Sequence, residues 1–91
     1  MENASASWPL RIEGGAFADR AVALAGVLAE RGVQAVCLRH GDSAVRHAAR
    51  GTDLPGVLAA AGPCEVHVES PPEARDIRYR VSADAITLEP G

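Results

Sequence analysis

The sequence predicts an α/β protein, a three-layer sandwich with a mainly parallel, Rossmann-like sheet and a strand or hairpin at its C-terminal end. Three observations lead there. Segments with helical apolar spacing alternate with short apolar runs, in the order strand, helix, strand, helix, strand. The run Val33 to Leu38 is interrupted only by Gln34, as in a strand covered on both faces. Glycines stand where one element gives way to the next, at Gly14, Gly15, Gly32, Gly41, Gly51 and Gly62. A length of 91 residues allows a single domain, read as residues 9–91 behind a flexible leader at 1–8 in which Asn3, Ser5 and Ser7 alternate with small residues.

The elements follow in order. A short strand at Pro9 to Glu13 points Leu10 and Ile12 one way and ends at Gly14 and Gly15. Residues 14–32 carry the helix, because Phe17, Ala21, Leu24 and Leu28 recur at helical spacing, with Arg31 in the last turn and Gly32 at a left-handed stop. Gly26 costs roughly 1 kcal/mol inside a helix, so a close approach to a neighbouring strand is expected there. After the strand at Val33 to Leu38, the segment HGDSAVRHAARGTDLPGVLAAAG reads as two short helices. Asp42 or Ser43 caps the first, and Thr52 or Asp53 caps the second, with Pro55 in its first turn. Alternation of Cys64, Val66 and Val68 against Glu65, His67 and Glu69 gives a strand with one wetter face. Asp76 to Val81 has the same pattern, and Ile86 to Leu88 closes the chain as a last short strand after a turn at Ser82 to Asp84.

Composition removes several function classes. All nine basic residues are Arg, so a P-loop or Schiff-base lysine is excluded. The net charge of -3 and the three aromatic residues, Trp8, Phe17 and Tyr79, speak against a nucleic-acid partner. No apolar run is long enough to span a bilayer, and the start lacks the basic and apolar regions of a signal peptide, which predicts a soluble, cytoplasmic protein without a membrane partner. Cys37 and Cys64 make neither a disulfide framework nor a zinc spacing, so no metal or other cofactor is expected.

In a parallel sheet, ligands bind beyond the carboxyl ends of the strands. That rule selects Gly14 and Gly15, then His40, Asp42 and Ser43, then Ser70, as loops for a small anionic ligand. Each has a plainer account: Gly14 and Gly15 as a tight turn, Asp42 or Ser43 as a helix cap, and His40, His47 and His67 as solvated side chains. Arg75, Arg78 and Arg80 form a basic cluster, compensated by Glu73 and Asp76. Cys37, within the apolar strand, reads as a small buried hydrophobe. Cys64 opens its strand and so lies on the edge opposite the ligand loops, about 16 Å away at 3.3 Å per residue.

The order of motifs resembles the DsrE/DsrF-like sulfur-relay family over residues 10–77, from ADRAVALAGVLAERG through LRHGDSAVRHAARG and DLPGVLAAAG to CEVHVESPPEARDI. The resemblance implies an oligomeric α/β subunit that passes persulfide sulfur between cysteines. The family's reactive cysteine would fall near Val68, Glu69 or Ser70, where this chain has none, and its Arg-Gly pair is represented by Arg75 and Asp76. Residues 10–38 are also similar to the first strand-helix-strand of glycosyltransferases with two Rossmann-like domains. The reading that follows is a small DsrE-like subunit acting through homo- or hetero-oligomeric association, a non-catalytic partner in a larger assembly. The alternatives are a sulfur-transfer protein using Cys64 or Cys37, and an anion- or nucleotide-binding module at the loops named above.

Overall fold

Residues 8–49 and 53–89 are described by the computed structural model of the chain. Strand β1 is Arg11–Glu13, helix α1 Phe17–Glu30, strand β2 Ala35–His40, strand β3 Ser43–Ala48, helix α2 Leu54–Ala61, strand β4 Cys64–Ser70, strand β5 Arg78–Val81 and strand β6 Ala85–Leu88.

Helix α1 forms where its spacing predicts. Ala21, Leu24, Ala25 and Leu28 are buried on one stripe, with Phe17 and Val27 packed beside them. Its end is a Schellman motif: Val33 N–H donates to Leu28 O at 3.0 Å and Gly32 N–H to Ala29 O at 3.1 Å, with Gly32 at φ +72°. Gly26, however, lies exposed with nothing within 4 Å of where a Cβ would stand, so no close strand explains it. Helix α2 also matches its signals. The Asp53 carboxylate accepts from Gly56 N–H at 3.3 Å, and Pro55 sits in the first turn.

The first of the two short helices expected after His40 is instead strand β3. His40 and Ser43 face each other across the two-residue loop Gly41–Asp42, and the ladder continues through Leu38 opposite Val45 to Ala35 opposite Ala48. Gly41 has φ +55° while Asp42 keeps a negative φ, the requirement of a type II′ hairpin with glycine at its first central position. Of the cap candidates, Asp42 sits in this loop and Ser43 in the strand. Thr52 and Gly51 lie outside the described residues, as does the leader apart from Trp8. That residue is 6% exposed and belongs to the core.

This hairpin and the meander that ends the chain overturn the fold class. The sheet is six-stranded in the order β1-β6-β5-β4-β2-β3, and every pairing is antiparallel. It is therefore neither mainly parallel nor Rossmann-like. Strands β1 and β2 do run the same way, as do β3 and β4, so each helix carries a crossover between like-directed strands. Other strands stand between them: β6, β5 and β4 in the first case, β2 in the second.

The layers number two. Val36, Leu38, Val66, Val68, Tyr79, Val81 and Ile86 fill one face of the sheet and are buried with the stripes of α1 and α2. Cross-strand neighbours on the other face are Arg46, Cys37, His67 and Arg78 in one row, and Arg39, Glu65, Arg80 and Thr87 in the next. A parallel sheet needs apolar residues on both faces. The alternating charges of β4 and β5 cannot supply them. Cys37 is consequently half-buried on the uncovered face, not inside a core.

Candidate functional site

An open pocket of about 480 Å³ lies at one end of the sheet. It is walled by Arg39, His40 and Gly41 where β2 ends, Pro63, Cys64 and Glu65 where β4 begins, and Arg80 to Ala83 where β5 turns toward β6. Antiparallel pairing makes it: Arg39 stands opposite Glu65, and Glu65 opposite Arg80. The parallel reading put Cys64 on the edge away from His40. The structure puts them in one pocket.

The same pairing carries Ser70 to the opposite end. Its Oγ donates to Gln34 Oε1 at 3.2 Å and its carbonyl accepts from Gln34 N–H at 2.8 Å. It lies roughly a strand length, about 17 Å, from His40 at about 3.4 Å per residue. Gly14 and Gly15 do share the His40 end of the sheet, but their carbonyls face inward. Arg20 Nη1 donates to Gly15 O at 2.7 Å and to Gly14 O at 3.3 Å, and Nη2 donates to Ala83 O at 2.5 Å. At the start of α1, the Asp19 carboxylate accepts from Ala16 N–H at 3.1 Å, so the chain's own anion occupies that terminus. Asp42 and Ser43 lie in the hairpin and on β3.

The electrostatics of the pocket favour a charged ladder over a nucleophile. Arg80 is held by Glu89 at 2.9 Å and Glu65 at 3.5 Å, and the hydrogen bond from Arg80 draws the Glu89 carboxyl below its ordinary range. Burial, reinforced by the adjacent Glu65 charge, pushes the Cys64 thiol up from its ordinary value. A thiol so placed stays protonated near neutrality, the opposite of what sulfur nucleophiles require. Of the basic cluster, Arg78 and Arg80 belong to the uncovered sheet face, while Arg75 sits in the preceding turn, its carbonyl 2.7 Å from His67 Nε2. No group of three or more His, Cys, Asp or Glu among the described residues could hold a metal ion.

A second concavity, about 330 Å³, lies along the open edge of the sheet between the β2–β3 hairpin and α2. Leu38, Val45, Val57, Ala60 and Ala61 line it, with His40 and His47. Among the described residues β3 pairs only with β2, and of its side chains His47 alone is half-buried while the rest are exposed, Val45 at 50%. Reading 43–48 as a helix hid this edge. The signal that reveals it is Gly-Asp between two alternating runs.

In comparisons with protein-family models, curated proteins and solved structures, none matches this chain. They bear neither for nor against a sulfur-relay relationship. No helix among the described residues is long and apolar enough to cross a membrane.

Proposed function

We propose that this chain is a small non-catalytic subunit that acts through protein association, with a partner adding an extended strand to the open edge of β3. The observation that supports this reading is the edge itself. Among the described residues, Ser43, Ala44, Val45, Arg46 and His47 pair with no strand other than β2, and neither Pro nor a bulge interrupts them, so the charge of Arg46 is what blunts this edge. Added strands gain affinity from main-chain hydrogen bonds and specificity from pockets for alternate side chains. The apolar groove beside Val45 is such a pocket. A cytoplasmic setting belongs to the same proposal, since both cysteines are free thiols.

The test places a photo-crosslinking residue at Val45 and, as a control, at the equally exposed Val22 on α1. Crosslinks to another polypeptide are expected from position 45 alone, and Ala44→Pro removes them while leaving the thermal melt in place. Crosslinks that survive the proline, or arise equally from position 22, overturn edge docking. The sulfur-transfer alternative is separated by iodoacetamide labelling near neutral pH. Cys64 in the folded protein is expected to label far more slowly than in denaturant; rapid labelling would favour the enzyme.

A further inference from the structure

Resting on that association reading, we infer that the strand added at β3 is β3 of a second copy of this chain, in antiparallel register centred on Ala44. The hairpin loop sets which backbone groups are available. With His40 and Ser43 closing a two-residue turn, Ser43, Val45 and His47 exchange hydrogen bonds with β2, and Ala44 and Arg46 turn their N–H and C=O groups outward. A twofold axis perpendicular to the sheet brings these outward groups together in an isologous interface. Three centres satisfy that pattern within the strand. Centring on Arg46 sets two guanidinium groups face to face, which is destabilising. Centring on Val45 puts Arg46 opposite Ala44 of the second copy and leaves Asp42 opposite Ala48. Centring on Ala44 sets Asp42 opposite Arg46 of the second copy, twice by symmetry.

Charge selects the last. Asp42, in the turn, and Arg46, which its pairing with Cys37 places on the uncovered face, are both exposed and make no ion pair among the described residues. Arg46 lies three strand residues, about 10 Å, beyond Ser43 where the turn holding Asp42 ends, so the two charges of one copy do not pair. The twofold axis resolves this by giving each charge its complement on the other copy. On the opposite side of the ladder, Ser43 faces Val45, and each copy's Val45 lies over the paired apolar grooves. The result is one sheet continuous across both copies, with both edges at its centre removed from solvent.

Light scattering on size-exclusion fractions tests the partner, and complementary charge variants test the register. The wild-type chain is expected to dimerise at high micromolar concentration. Asp42→Arg alone sets like charges opposite each other, as does Arg46→Asp alone. Each is expected to raise the dissociation constant by about tenfold or more. Mixing the two variants restores opposite charges at both positions and is expected to recover a heterodimer. As an independent readout on the unaltered chain, the amides of Ala44 and Arg46 gain protection from hydrogen exchange as concentration rises.

A wild-type chain that stays strictly monomeric overturns the second copy as partner, while proline-sensitive crosslinks from position 45 would still uphold docking at the edge. A dimer indifferent to both substitutions, variants that fail to recombine, or exchange at Ala44 and Arg46 independent of concentration overturns the register.

Discussion

The two edges of the sheet are finished in opposite ways. Strand β1 is three residues long and tied down from several directions. Tyr79 Oη donates to Pro9 O at 2.7 Å, Leu88 N–H to Leu10 O at 2.9 Å, and Arg20 clamps the loop that follows β1 to the β5–β6 turn. Strand β3 is twice as long, exposed on nearly all its side chains, and flanked by a groove. Hydrogen bonds from the core anchor the chain on either side of β1, whereas Ala44 and Arg46 of β3 turn their backbone groups away from β2.

Substitutions at the closed edge are therefore expected to cost folding stability, and those at the open edge association. The largest folding effect is predicted for Arg20→Leu. Arg20 is 7% exposed, has no acidic partner among the described residues and bonds three carbonyls through its guanidinium, so removal leaves those acceptors without a donor. A loss of about 2–3 kcal/mol is expected in denaturant unfolding followed by Trp8 fluorescence. A loss under half a kilocalorie would show that water replaces the clamp.

Tyr79→Phe comes next, at about 1 kcal/mol, because it leaves Pro9 O unpaired. Burial pushes the Tyr79 hydroxyl up to about 12 from 10.0, partly offset by Arg31. The folded state thus holds this proton more tightly than the unfolded state. Its contribution is complete below pH 10.0 and is lost as pH rises through about 12. As the only tyrosine, it can be followed by tyrosinate absorbance, and the alkaline loss of stability should be shallower in the Phe variant. A titration midpoint near that of free tyrosine would contradict the burial.

The smallest folding effect belongs to Val45→Ala at the open edge, within about 0.5 kcal/mol for the monomer. Its consequence should appear in the dimer dissociation constant. If monomer stability falls instead, the edge is part of the core and the contrast between the two edges fails.

Most local structure was legible in the sequence. The stripe of α1, its Gly32 stop, a cap at Thr52 or Asp53, which the structure assigns to Asp53, and the alternation of β4 follow from spacing within a few residues. Residues 43–48 were misread because Ser43, next to an Asp and before Ala and Val, suits a helix cap as well as a strand start. The tie is broken by Gly41, whose positive φ turns the chain back. From that one turn follow the antiparallel neighbour of β2, the open edge, and the meeting of Cys64 with His40. The site residues chosen by a parallel-sheet rule scatter accordingly: His40 remains in the pocket, Ser70 leaves it, and Arg39, Glu65 and Arg80 enter it unannounced.

The sequence by itself determined helices α1 and α2 and the alternating faces of β4 and β5, since periodicity, caps and turns act over a few residues. Strand order, the single helical layer and the contents of each pocket were decided only by the tertiary structure. Those depend on which distant backbone groups pair, and a hydrogen-bond ladder accepts any strand whose faces match.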